Sequence, residues 1–460
     1  MRLVAGCALL VMASACASPP TGVDGATIDM GPPFLVRDIA GGSASGVAET
    51  ARIADGGGIL FFTADDRVKG EQLWRSDGTA FGTRPLTDVT GGTDRFDKWT
   101  GGFGSVGPQL FFTVDDGGRG RDLWRSDGAD AVVIKDIRPG PPSYGRDLVV
   151  DVAGSLFLVS QTAGSRTSSF WQLQLLRSDG TPEGTTLVKE LGEYFTSHQH
   201  PNPAYMAAVA FRGQMFLVVE NDLWRSDGTA AGTHVIFPRL FTPERLRPLA
   251  AVGDQLLFVT YTDWPGARDP RGAGPPPDLR NALWTSDGTA AGTRVVRSFD
   301  QQPSSLIAAG STVFLGVGNS LWVTDGTASG TARVMSGGEP FLLGAADGAV
   351  VFAMGSELWH SNGVTHGARL LRRGLRFVHR AVAARGRFFF TADDDLHGRE
   401  LWMTDGTPEG TRLVADLRPG AESSFPMSYT VSGDRLYFSA DDGRYGRELW
   451  ALPLLSGGGR

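Results

Sequence analysis

One phrase, Leu-Trp-x-Ser/Thr-Asp-Gly-Thr-x-x-Gly-Thr, recurs down nearly the whole 460-residue chain. It reads LWRSDGTAFGT at 73–83, LWRSDGTAAGT at 223–233, LWTSDGTAAGT at 283–293, LWVTDGTASGT at 321–331 and LWMTDGTPEGT at 401–411. A unit copied this often buries its apolar faces against neighbouring copies, because no single copy is large enough to hold a core. The repeat therefore dictates a modular array and leaves the chemistry open.

The repeat Trp falls at Trp74, Trp124, Trp224, Trp284, Trp322, Trp359, Trp402 and Trp450, so eight of the eleven Trp occupy one position and read as packing residues. A ninth copy, LLRSDGTPEGT at 175–185, has Leu176 there. Spacings run from 37 residues (Trp322 to Trp359) to 60 (Trp224 to Trp284), about the length of a four-stranded propeller blade. In the last copy, 428–432 (SYTVS), 435–440 (RLYFSA) and 448–452 (ELWAL) read as three short strands, innermost first. The fourth is visible one copy earlier at 411–417 (TRLVADL). These segments are rich in β-branched and aromatic residues and bounded by Gly or Asp turns, with no helical periodicity. The last copy has no fourth strand of its own, and 34–39 (FLVRDI) matches the missing one. The expectation is an all-β chain: a single closed β-propeller of four-stranded blades whose N-terminal strand completes the last blade, leaving no open edge. Nine repeats are counted. Eight blades would result if the degenerate copy around Trp359 (LWHSNGVTHGA) did not form one.

Two turns recur. The one joining third and fourth strands carries Asp77, Asp127, Asp179, Asp227, Asp287, Asp325 and Asp405, each followed by Gly. Asp accepts backbone N–H bonds, Gly supplies positive φ, and Thr steadies the turn, so this is a structural element. It is similar to the Asp-box turn of sialidase propellers, itself structural. The turn between second and third strands reads Ala-Asp-Asp-x-x-x-Gly-x-x-Leu-Trp at 64–74, 392–402 and 440–450, with 114–124 a near match. Together the two patterns resemble the bacterial ELWxxDGT-repeat family over roughly residues 33–455. The Ala-x-Asp-x-x-x-Gly-x-x-x-Trp spacing is similar to the tryptophan-docking motif of quinoprotein propellers, which recurs in the propeller lipoprotein that scaffolds outer-membrane protein assembly. The resemblance implies Trp packed between blades, Asp and Gly shaping hairpins, and a cell-envelope location. It implies no defined reaction.

Carboxylates at Asp66, Asp116, Asp394 and Asp442 are hard oxygen donors that could take Ca²⁺. Hairpin shaping accounts for them, no Asp-x-Asp-x-Asp-Gly loop exists, and no cofactor is expected. His198-x-His200 is the only His pair at ligand spacing and lacks a third ligand nearby. Three insertions break the template: 161–172, 192–203 and 262–280. In a propeller, second-to-third and fourth-to-first connections leave from the same face, so all three crowd one side with the Asp-pair loops. Repeat proteins place such insertions on their binding face. Trp171, Tyr194, Phe195 and Trp264 are the aromatics expected there, with His198 and His200, and they suit protein or sugar contacts.

Residues 1–15 read as an export signal, with Arg2, an apolar run and small residues. Ala13-Ser14-Ala15-Cys16 resembles a bacterial lipobox, although Leu is usual where Ala13 stands. Cys7 and Cys16 are the only cysteines, so the body would hold no thiol beyond the acylated one. Residues 16–33 would form a flexible tether, 34–455 the propeller and 456–460 a Gly-rich tail. Ala17, by resemblance to Gram-negative sorting rules, favours the outer membrane; secretion or a periplasmic location is the alternative. A net charge of −7 argues against a nucleic-acid binder. Only four of the 43 basic residues are Lys (Lys69, Lys98, Lys135, Lys189), read as compositional bias.

No Gly-x-Ser-x-Gly elbow, zinc-protease helix or phosphate loop is present. The expected function is therefore a non-enzymatic, envelope-anchored scaffold, held to the membrane by its N-terminal lipid and binding an envelope protein or glycan through its loop face. An extracellular polysaccharide hydrolase or lyase working in the central funnel is the alternative. A quinoprotein-type oxidoreductase is less favoured, because its relatives commonly carry a vicinal disulfide and this body has no cysteine.

Overall fold

The computed structural model describes residues 29–86, 102–115, 120–139, 147–162, 170–195, 206–219, 222–238, 244–262, 281–379 and 381–455. Within them the chain forms nine antiparallel sheets of four blade strands each, hydrogen-bonded in sequence order. First strands of successive blades contact one another round a full circle, the ninth against the first. The architecture is a nine-bladed β-propeller. The degenerate copy makes a complete blade from Phe341–Ala346, Ala349–Met354, Glu357–Ser361 and Arg369–Arg373, which settles nine over eight.

Ring closure follows the sequence expectation. Phe34–Arg37 pairs antiparallel with the last strand, Arg447–Leu455, through Phe34↔Ala451, Leu35↔Trp450 and Arg37↔Leu449. Pairing also begins earlier than expected. Asp29–Met30 lies against Leu455 and Leu454, so the ladder reaches into the segment read as tether and shortens it.

Each blade is sandwiched between two neighbours, so its middle strands are buried on both faces and read as continuous apolar runs, not alternations. Leu60–Asp65 (LFFTAD) is buried at every position but Asp65, and Arg387–Asp393 (RFFFTAD) at every position but its two ends. The apolar clusters accordingly straddle blade boundaries. Trp402 of blade eight packs with Leu343, Val351 and Leu371 of blade seven, and Trp322 of blade six with Val259 and Leu283 of blade five.

A bulge recurs opposite the Leu-Trp pair, or Leu175-Leu176 in blade three, in every blade but the first. One apolar residue of the fourth strand drops out of register: Val36, Ile134, Val188, Ile236, Val296, Val334, Leu371 and Val414. Such a bulge bends the strand and re-aims the residue that follows. In six blades that residue reaches the next blade.

Candidate functional site

The turn between third and fourth strands is built identically six times. In blade one the Asp77 carboxylate accepts the Thr79 N–H (2.9 Å) and hydroxyl (2.7 Å), and the Thr79 hydroxyl accepts the Gly82 N–H at 2.9 Å. Thr83 Oγ1 donates to the Thr79 carbonyl (2.7 Å) and meets Ser76 Oγ at 2.7 Å. The same set recurs around Asp179, Asp227, Asp287, Asp325 and Asp405. Hydrogen bonds from Thr79 hold the Asp77 carboxyl below the usual carboxylate range, as the matching Thr does for Asp227 and Asp325. Both glycines are required, for different reasons. Gly78 has φ of +87°, whereas a Cβ on Gly82 would sit 2.0 Å from Asp77 Oδ2. Asp127 serves a shorter turn, bonding the Ala129 N–H at 2.9 Å. This face of the disc is self-satisfied.

The Asp-pair hairpins leave from the opposite face. Asp66, Asp394 and Asp442 each use Oδ1 to accept two backbone N–H groups of their own hairpin. Asp65, Asp393 and Asp441 each accept one more. Among the described residues no group of three His, Cys, Asp or Glu is placed to hold a metal. Asp116 lies outside them.

Connections from fourth to next first strand are pinned on this face by buried glutamates of the Glu-Leu-Trp triplet. Glu400 accepts from the backbone N–H groups of Leu417 (3.1 Å) and Ser424 (3.0 Å) and from the Ser424 hydroxyl (2.6 Å). Glu448 accepts from Gly46 (2.9 Å) and Ala40 (3.3 Å), while its Oε2 finds no partner among the described residues. Burial pushes both carboxyls up to about 7.

Sequence reading missed the inter-blade docks. In six blades the residue after the fourth-strand bulge reaches the neighbouring blade. Arg37 donates to the Thr83 carbonyl and lies over Trp74; Arg297 donates to the Thr331 carbonyl (3.1 Å) and lies 4.6 Å from the Trp322 ring. Lys135 and Lys189 cap the carbonyls of Thr185 and Thr233, so two of the four lysines hold blades together. Arg372 stacks on Trp402, and Phe237 makes an edge contact with Trp284 at 4.8 Å. The available signal was a basic or aromatic residue immediately after an apolar pair in six of the fourth strands.

The expected binding-face residues are placed in part. Trp171, Tyr194 and Phe195 are not in loops: Phe170–Ser178 and Thr186–Phe195 are elongated strands, with Trp171 opposite Tyr194 and Phe170 opposite Phe195. Backbone pairing through these residues satisfies their N–H and C=O groups within the sheet, where a loop would leave them to water. Gln161 and Thr162 likewise remain in the second strand, paired with Leu173 and Gln172. Cys16, His198, His200 and Trp264 lie outside the described residues. No helix among the described residues is long and apolar enough to cross a membrane.

No protein-family model matches this chain, and no curated protein does. Among solved structures it is similar to BamB from Moraxella catarrhalis (10% identity, 80% of this chain and 96% of that one, TM-score 0.40). Sqt1 from Saccharomyces cerevisiae matches at 10% identity over 79% of this chain and 97% of that one, TM-score 0.42. The WD40 domain of SCAP from fission yeast matches at 9% identity over 93% and 94%, TM-score 0.42. Puromycin hydrolase matches at 12% identity and TM-score 0.36 over 74% of this chain, which spans only 58% of that enzyme's length. At these values the likenesses transfer no reaction, ligand or partner, and the blade count rests on the strand pairing itself.

Proposed function

We propose that this protein is a non-enzymatic propeller scaffold of the bacterial cell envelope, a member of the ELWxxDGT-repeat group. It binds a protein or glycan partner through the face that carries the second-to-third and fourth-to-first connections. The asymmetry between the two faces carries this reading. One face presents six copies of one internally bonded turn. The other varies blade by blade and receives the elongated aromatic-bearing strands of blade three. Rigid, repetitive support beneath a variable surface is how repeat proteins build recognition sites.

The first strands favour binding over funnel catalysis. Segments such as Met206–Phe211 (MAAVAF), Pro303–Ala309 (PSSLIAA) and Phe341–Ala346 (FLLGAA) carry no ionisable residue. Three carboxylates of the first strands are engaged: Asp55 by Ser432, Asp147 by Arg121 and Thr113, and Asp151 by Gly154. Cys16 would carry the lipid, and the residues between it and Asp29 would set the reach from the outer membrane.

An in-cell crosslinking pull-down of the full-length protein tests the reading, beside a variant trimmed within 196–203 and 263–280, outside the elongated strands. A discrete envelope component recovered only by the full-length form supports it. Equal recovery by both forms, or none by either, overturns it.

A further inference from the structure

Far round the disc from those insertions, on the same face, an aromatic–arginine–aromatic stack stands at the junction of blades seven, eight and nine. The guanidinium of Arg399 lies 4.0 Å from the ring centroid of Phe377 and 5.1 Å from that of Phe425. Phe377 sits on the connection from blade seven to eight, Arg399 at the end of the hairpin of blade eight, and Phe425 on the connection from blade eight to nine. Both rings are exposed, at 56% and 39%, and Leu396 (70%) and Met427 (37%) extend the apolar area around them. Both Phe residues have positive φ, +49° and +47°. That conformation is strained for a bulky side chain and persists only where the surroundings enforce it, which is typical of functional surfaces. Phe425 is held by its N–H to the Arg399 carbonyl (3.1 Å) and by Arg447 on its own carbonyl (2.8 Å). Phe377 follows directly on Arg376, which exchanges backbone hydrogen bonds with Asp393.

Charge says what the surface would take. Residues 358–392 hold seven Arg and no Asp or Glu, in a chain of net charge −7. The acids beside the stack are already engaged: Asp395 with Arg376, Asp394 with His397, and both Glu422 and Asp441 with Arg418. No carboxylate among the described residues pairs with Arg399. His379 is held below its usual value by burial and by Arg399 itself, so it stays neutral beside the guanidinium.

We infer that the Phe377–Arg399–Phe425 stack is a docking site for an acidic protein segment, one that places a carboxylate on the Arg399 guanidinium and an aliphatic or aromatic side chain against the flanking rings. Arg beside aromatic anchors is the composition of protein interface hot spots, and the neighbouring Leu396 and Met427 suit an apolar side chain better than a hydroxyl-rich sugar. The inference rests on the loop-face reading but uses different blades.

The test is fluorescence anisotropy of the purified full-length protein with a labelled peptide alternating Glu and Leu. Competitors are the same peptide with Gln for Glu and polygalacturonate. Saturable binding that the Glu peptide competes and the Gln peptide does not is expected, weakening with salt. Arg399→Gln and Phe377→Gly should each weaken it by about tenfold or more. Because Gly adopts positive φ freely, Phe377→Gly should leave the unfolding midpoint equal or higher, which a merely structural role for Phe377 would not allow. Equal binding by parent and both variants, equal competition by the Gln peptide, or competition by polygalacturonate alone overturns the inference. So does absence of binding. Running the pull-down with Arg399→Gln beside the trimmed form separates the two readings: a partner lost only on trimming leaves the loop-face reading standing and removes this one.

Discussion

The doubled glycine of the repeated turn makes a prediction whose sign reverses with background. In blade eight, Gly410 does not have positive φ, yet a Cβ there would lie 2.1 Å from Asp405 Oδ1, and the three nearest atoms all belong to that carboxylate. Gly410→Ala must therefore expel the Asp405 side chain. That forfeits its bonds to the Thr407 N–H (2.9 Å) and hydroxyl (2.6 Å). Two hydrogen bonds at about 0.5–1.5 kcal/mol each put the loss at about 1–3 kcal/mol. Asp405→Ala forfeits the same bonds and should cost a similar amount. In the Asp405→Ala background the clash is gone, and Gly→Ala should become neutral or stabilising by about 0.4–1 kcal/mol, through restriction of the unfolded chain. The double-mutant coupling, the difference between the two backgrounds, is thus about 1–4 kcal/mol, against about 0.5 kcal/mol or less expected of independent sites. Urea unfolding followed by circular dichroism reads it from the midpoints, provided the slope is unchanged across the four proteins. If Gly410→Ala destabilises equally in both backgrounds, the carboxylate is not what excludes the side chain, and the account of the turn is wrong.

Trp402→Ala, at a fully buried blade boundary, should cost about 3–5 kcal/mol by denaturant titration, whereas truncating the exposed Phe81 should cost almost nothing. Lys135→Met and Lys189→Met keep the aliphatic stem and remove the cap on the next blade, for an expected loss of about 0.5–1.5 kcal/mol each in the same titration. The raised carboxyls of Glu400 and Glu448 predict a pH dependence. The folded state holds these protons more tightly than the unfolded chain, so their contribution is fully present below the ordinary glutamate value of 4.5 and is lost as pH rises through about 7. Glu448→Gln should flatten part of the decline in unfolding midpoint across that window, and an unchanged slope would show that Glu448 does not titrate there.

How much could be read in advance follows from where the information sits. The Leu-Trp-x-Ser-Asp-Gly-Thr phrase is local: its hydrogen bonds run between residues two to seven apart, so residue types and spacing determine the turn wherever it occurs. Closure by 34–39 was legible because that segment copies a fourth strand that the last repeat lacks. The fate of the blade-three insertion was not, since Trp171, Tyr194 and Phe195 look equally at home in a loop until their register pairs them. Nor were the docks, because nothing near Arg297 in sequence announces Thr331 or Trp322 on the next blade.

By itself, then, the sequence determined the module, its turns and its repetition, all set by contacts within a few residues. Tertiary structure alone decided that the degenerate copy around Trp359 forms a full blade, that basic residues after the bulges bind one blade to the next, and that Phe377, Arg399 and Phe425 meet. Those depend on packing between segments tens of residues apart, where geometry selects partners that local pattern cannot distinguish.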